Sequence, residues 1–318
     1  MNVHLTFDIE VWCNDWKRLD ERFPAAFQRY VFGRSPQGDY ALPKTLEMLD
    51  RHSLAAVFFV EPLFAARFGL EHLATIVELI RDAGQDVQLH LHPEWVDELA
   101  EPPIENHHTK RQHLCFYTQD EQRALIAFGA QLLQRAGALR PTAFRAGSFA
   151  CNRATFAALR DNNILIDSSL NECTDVSGAD LRAEGVHAMT GSIEGVHSVP
   201  VSVFVDGLGR RRSAQVNGSG YSELVVAMDA AERAGDTEFV IVSHNFEMLK
   251  PGSNEPDPVV VRRFESLCKY LSGHRGRLPT CRFLPPVEPA EARKPRAQTR
   301  VSLGSTAARH IQQLWRRF

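Results

Sequence analysis

Residues 86–95, DVQLHLHPEW, alternate Val87, Leu89 and Leu91 with Gln88, His90 and His92. As a strand the stretch puts its apolar side chains on one face and both imidazoles on the other, and Pro93 stops it directly after the second histidine. Neutral imidazole suits zinc and other borderline divalent metals, so two histidines where a strand runs into a loop are placed to hold a cation. One histidine there would read as a hydrogen-bonded polar residue on a half-exposed strand; the pair favours a ligand role. Residues 3–11 repeat the design, with Leu5, Phe7, Ile9 and Val11 on one face and His4, Thr6, Asp8 and Glu10 on the other. Carboxylates projecting together toward a strand's far end either ligate a cation or stay in water on an edge strand. The recurrence at His90 and His92 favours the first reading.

Further reactive residues fall at the ends of other apolar runs. Residues 142–149, TAFRAGSF, end in Arg145 and a glycine turn, which supplies a fixed cation and backbone N–H groups able to point at a ligand. A surface arginine beside a turn is the plainer alternative. Residues 164–167 close on Asp167, and 239–242 run into Ser243, His244 and Asn245. A cation on Glu10, His90 and His92 would keep positions open for water and a carbonyl oxygen, polarising the carbonyl and lowering the water's pKa toward neutrality. Asp8 would take the water's proton, Arg145 would keep Asp8 ionised and oriented, and His244 would protonate the leaving nitrogen. The N–H of Ser148 offers a second oxyanion donor. No covalent nucleophile is needed: there is no G-x-S-x-G elbow, and Cys13, Cys115, Cys151, Cys173, Cys268 and Cys281 form no C-x-x-C pair and sit in no activating setting.

These strand ends need elements to carry them. Residues 42–51 show helical spacing with Pro43 in the first turn, 55–60 read as a short buried strand, and 70–83 form a helix stopped by Gly84. Thr118 and Glu121 make a capping box for a helix over 118–137. Helices over 152–162, 221–235 and 259–271 and strands over 199–205 and 281–284 complete the pattern, with 12–40 and 98–116 as long loops. Strand and helix in alternation predict a parallel sheet or barrel, and in β/α barrels the C-terminal strand ends converge on one mouth. His107, His108 and His113 lie in the second loop, as histidines of solvent-facing loops often do without a metal.

The chain of 318 residues, 44% hydrophobic, suffices for one large α/β domain or two ordinary ones, and its net charge of -3 predicts no general affinity for nucleic acid or anionic membrane. The N-terminal run lacks the pattern of a secretory signal, no stretch is long and apolar enough to span a bilayer, and the scattered cysteines fit reduced thiols; a cytoplasmic protein is expected. Composition changes near residue 285. Residues 1–285 read as the catalytic region, 286–306 as a basic, proline-containing linker, and 307–318 as an amphipathic helix opposing Ile311, Leu314, Trp315 and Phe318 to Arg309, Arg316 and Arg317. That helix either touches a membrane surface or partner, or docks on its own domain or frays.

In order and content, TFDIE, HLHP, FRAGSF, IDSS and VSHNF resemble the polysaccharide deacetylase family, the NodB-homology or carbohydrate esterase family 4 domain, over residues 5–285. The resemblance implies an α/β fold of the distorted (β/α)7 barrel type, one divalent metal, zinc before cobalt or nickel, and hydrolytic removal of N- or O-acetyl groups from a sugar or glycan. It matches Asp8 to the catalytic base, Arg145 to the residue that orients it and His244 to the general acid. The sequence also departs from the family. Ile9 separates Asp8 from Glu10 where the commonest motif has adjacent aspartates. The usual second histidine lies four residues on, where this chain has Glu94, so the ligand set is Glu10, His90 and His92 with Glu94 as substitute for His92, ranked lower because Pro93 breaks the strand face. RAGSF stands where many members have RPPYG, which points to an outlying branch with a different substrate pocket, toward which Ser148 and Asp167 would face. Trp12, Trp16 and Tyr30 would form a sugar-stacking wall or pack a small satellite core. An allantoinase-like hydrolase of small-molecule C–N bonds and a non-catalytic metal- or glycan-binding protein are the competing readings.

Overall fold

Apolar runs and amphipathic stretches resolve into parallel strands separated by helices. The computed structural model describes residues 1–174, 181, 191–284 and 299–316, and these divide into two compact units. Residues 285–298, which hold most of the expected linker, and 317–318 lie outside the described residues.

The first unit takes in residues 1–56, 202–282 and 299–316. Its strand Asn2–Ile9 pairs in parallel with Glu238–His244, in a register that sets Val3 beside Phe239 and Asp8 beside His244. After Asn2 the first strand is buried on both faces, so its polar face is interior rather than solvated. Such a face has to be hydrogen-bonded. His4 meets Glu238 Oε2 at 2.6 Å and the Thr6 hydroxyl donates to the Ile241 carbonyl at 2.8 Å. Helix Pro258–Gly273, capped by the Asp257 side chain, packs on this pair through Phe264, whose ring meets Phe7 edge-on at 5.6 Å.

Three expectations need correction here. The aromatic segment 12–40 is not all loop: Leu19, Phe23, Ala26 and Phe27 form the buried face of helix Leu19–Phe27, whose period is masked in sequence by Pro24 inside it. Of residues 199–205 only Val203–Val205 form a strand, antiparallel to Arg211–Ser213. Residues 281–284 take no regular structure, and the chain before them touches the first strand through one bridge, Val3 with Thr280.

The C-terminal helix runs Leu303–Trp315, starting inside the segment read as linker. Thr306 and Arg309 on one face are buried. The Thr306 hydroxyl donates to Glu223 Oε1 at 2.8 Å, and Arg309 lies 3.0 Å from Asp206 Oδ2 and 2.9 Å from Glu223 Oε2. The helix thus docks on its own unit by one face, while Ile311 and Leu314 remain 57% and 55% exposed on the other. No helix among the described residues is long and apolar enough to cross a membrane.

The second unit covers 57–174, 181, 191–201 and 283–284. Its strands lie in the order Val57–Val60, Asp86–Leu91, Ala143–Ala146, Ile166–Asp167, Val196–Ser198, Gly191–Ile193, parallel except for the last, antiparallel pair. Helices Leu70–Asp82, Gln119–Arg135 and Arg153–Asp161 separate the first four, the arrangement that parallel pairing requires. Thr118 Oγ1 accepts the Glu121 N–H while Glu121 accepts the Thr118 N–H at 2.8 Å, so the expected capping box forms, worth about 1 kcal/mol. Gly129 on that helix lets it lie close to the histidine strand: a Cβ there would be 3.1 Å from Leu89 and 3.3 Å from Leu91. The register places His90 beside Arg145.

Candidate functional site

At the end of the first strand Asp8 and Glu10 are 2% and 6% exposed, which sets aside a solvated edge. Asn245 stitches the segment: its Oδ1 accepts the Glu10 N–H at 3.4 Å and its own N–H donates to the Asp8 carbonyl at 3.3 Å. The Trp12 indole N–H donates to Glu10 Oε2 at 2.7 Å, fixing that carboxylate. Tyr30 stacks edge-on against Phe246 at 5.0 Å, and its hydroxyl accepts from Asn14. Asn14 links Trp12 and Tyr30, its side chain donating to the Trp12 carbonyl and to the Tyr30 hydroxyl.

His244 is half-buried, and its Nδ1 donates to Glu247 Oε1 at 2.8 Å. Glu247 is buried and is held in turn by Gln215 Nε2 at 2.6 Å and the Ser243 hydroxyl at 2.7 Å. Burial works against a charge on His244, but the hydrogen bond to Glu247 and the charges of Glu10, Glu247 and Asp8 outweigh it and raise its pKa from 6.5 to about 9. An imidazole so placed is protonated at neutral pH and can give a proton through Nε2.

On the histidine strand, His90 and His92 are buried, with ring centroids 4.8 Å apart. His90 Nδ1 donates to the Arg145 carbonyl at 2.8 Å, and His92 Nδ1 lies 3.3 Å from both Glu94 oxygens. A carbonyl or carboxylate on Nδ1 fixes the tautomer and leaves the lone pair on Nε2, as ligating histidines need. Glu94 is thus placed to orient His92. Glu61, at the end of Val57–Val60, is buried; Oε1 accepts the Leu63 N–H at 2.8 Å and Oε2 has no hydrogen-bond partner among the described residues. Burial pushes its pKa up to about 8 against the pull of Leu63 and His92, so it is largely neutral at pH 7.

Arg145 is fully buried: Nε donates to the Ser168 carbonyl at 3.1 Å, Nη2 to the Ser168 hydroxyl at 2.9 Å, and the guanidinium lies 4.3 Å from the Phe59 ring centroid. This excludes the surface-arginine alternative. After it, Ser148 and Phe149 take φ of 54° and 58°, strain that a rigid strand end sustains. Asp167 also ends a strand. It is fully buried, and Ser169 donates its N–H to one oxygen at 2.9 Å and its hydroxyl to the other at 2.6 Å. Ser169 also accepts the Ala146 N–H at 2.8 Å, which ties Asp167 to the Arg145 turn. Burial raises its pKa to about 6 in spite of Ser169 and Arg145.

Among the described residues Glu10, in the first unit, and His90 and His92, in the second, are buried residues of types that ligate metal ions. Two imidazoles with committed Nδ1 atoms and one carboxylate are a donor set that suits zinc or a neighbouring transition metal. His107, His108 and His113 do not belong to the group. Asn245 and Glu247 were not picked out from the sequence, although both follow His244 closely; Glu61 was overlooked although it ends an apolar run as Asp8 does.

No family model matches the chain, and no curated protein matches it. Among solved structures, a “putative polysaccharide deacetylase” from Mycobacterium smegmatis aligns over 90% of this chain and 94% of its own, with 18% identity and a TM-score of 0.52. A family 4 carbohydrate esterase from Streptomyces lividans, in complex with acetate, aligns over 92% and 97% with 17% identity and a TM-score of 0.45. A CE4 family pseudoenzyme from Bacillus anthracis aligns over 87% of this chain and 62% of its own, with 13% identity and a TM-score of 0.42. The first likeness establishes the fold: the chain has the polysaccharide deacetylase fold, the distorted β/α barrel class expected from its motifs. The other two, at their TM-scores, add no weight.

Proposed function

We propose that the chain is a metal-dependent hydrolase that removes acetyl groups from an N-acetylated, or O-acetylated, sugar or glycan. The observation that carries this reading is the buried pair His90 and His92, their rings 4.8 Å apart and each Nδ1 engaged, with Glu10 as the third ligand of the proposal. The fold it shares with a protein named for polysaccharide deacetylation agrees with the choice of substrate. The cation would be zinc, or cobalt or nickel; bound there, it would polarise the acetyl carbonyl and acidify a water. Asp8 takes the proton of the attacking water. Arg145, rigid in its burial, orients the base. His244, held by Glu247, donates its proton to the leaving nitrogen or oxygen. The Ser148 N–H supports the developing oxyanion.

Wild type and two variants test the reading. Wild-type protein should carry close to one equivalent of metal by mass spectrometry, and the His90→Ala/His92→Ala protein close to none. Asp8→Asn should keep the metal while acetate release from acetylated sugars falls by about 10²-fold or more. Turnover near the wild-type rate in Asp8→Asn would remove Asp8 from the mechanism, and metal-free wild type after reloading would leave a binding protein. Release of ammonia or a carbamoyl product in place of acetate would favour a small-molecule C–N hydrolase.

A further inference from the structure

Three residues make the turn 147–149, and the glycine is not where the backbone needs one. Ser148 and Phe149 hold the left-handed torsions; Gly147 is not among the residues with positive φ. An L-amino acid could adopt its backbone conformation, so conformational freedom does not explain a glycine there. Space does. A Cβ at 147 would lie 2.7 Å from both Cε1 and Nδ1 of His92 and 2.8 Å from its Cγ, where carbon atoms in contact keep about 3.5–4.0 Å. The imidazole is also confined on other sides: it is buried, its centroid is 4.8 Å from that of His90, and its Nδ1 faces Glu94 at 3.3 Å.

We infer that Gly147 is a positioning residue for the metal centre, its bare Cα being the surface on which the His92 ring lies. Together with the Arg145 carbonyl on His90 Nδ1, it makes the segment 145–147 a clamp for both imidazoles, each presenting Nε2. The assignment rests on the reading of His92 as a ligand and adds what holds that ligand in place. The left-handed torsions of Ser148 and Phe149 turn the chain away directly after the contact.

The test compares Gly147→Ala, His92→Ala and the double variant with wild type, by thermal unfolding of the metal-free proteins and by zinc affinity in competition with a chelating dye. Gly147→Ala should lower the unfolding midpoint in the wild-type background and leave it unchanged in the His92→Ala background, where the clash has been removed. In the single variant zinc affinity should fall by about 10- to 100-fold, the range for losing a group that orients a ligand. An equal drop in midpoint in both backgrounds would overturn the steric contact, and unchanged zinc affinity in Gly147→Ala would overturn the positioning role. Wild type that binds no zinc would refute the metal reading, while the unfolding comparison would still decide whether the glycine accommodates His92. If Gly147→Ala does not fold, the double variant should; its failure to fold as well would count against the inference.

Discussion

Glu247→Gln replaces the charged acceptor of His244 by a neutral one of the same shape. The rise of the His244 pKa from 6.5 to about 9 corresponds to about 3 kcal/mol of preference for the imidazolium in the folded chain. Glu247 acts on it both by its hydrogen bond and by its charge, and burial pulls the other way, so in the variant only Glu10 and Asp8 oppose burial. The pKa should fall to about 7–8. A group raised in the folded state contributes stability that is complete below its unfolded pKa and vanishes as pH climbs through the folded value. The stability gap between wild type and variant should therefore be widest below pH 6.5 and close as pH passes about 9. The titration is read from the His244 Cε1–H resonance of the metal-free proteins, and the gap from urea unfolding at pH 6 and pH 10. If His244 is the general acid, the alkaline limb of kcat/KM should move toward neutrality with it. A wild-type resonance titrating near 6.5, or a gap of equal size at both pH values, would refute the account of His244 as a carboxylate-held imidazolium.

Two further substitutions test contacts of other kinds. Glu94→Gln should weaken zinc binding by about tenfold in the same dye competition, because the group orienting His92 loses its charge; loss as complete as in His92→Ala would make Glu94 the ligand. Arg309→Ala leaves Asp206 and Glu223 buried without their shared cation, although each keeps backbone N–H bonds, from Leu208 and Arg210 to Asp206 and from Gly220 to Glu223. A loss of about 3 kcal/mol in urea unfolding is expected, and less than about 1 kcal/mol would mean that the C-terminal helix is held by other contacts.

The sequence made plain those features that repeat along the chain. Alternation located the strands bearing Asp8 and His90, helical spacing located residues 42–51 and 70–82, and Thr118 with Glu121 marked a helix start. Periodicity tells which residues share a face, but it carries no information on whether that face meets water. The polar faces bearing Asp8 and His90 alternate as half-exposed strands do, and yet both are interior. Asp167 shows the converse difficulty. An acid at a strand end resembles a site residue, and only the bonds from Ser169 reveal that both its oxygens are already engaged. Glu247 was missed because an acid three residues after a histidine has meaning only if the chain turns between them.

HLHP and RAGSF, where they differ from the commoner motifs of the family they resemble, meet at one contact. The commoner spacing would place the second histidine at position 94, in the turn Pro93–Glu98. Here the spacing is two, His92 follows directly on the strand Asp86–Leu91, and the rings lie 4.8 Å apart. The second imidazole therefore occupies space against the next strand's turn, where it meets Gly147. In the RPPYG form of the motif that position is a proline, which brings a Cβ and a ring. With His92 where it is, any Cβ at 147 falls within 2.8 Å of the imidazole, so the short histidine spacing and the proline motif exclude each other on this backbone.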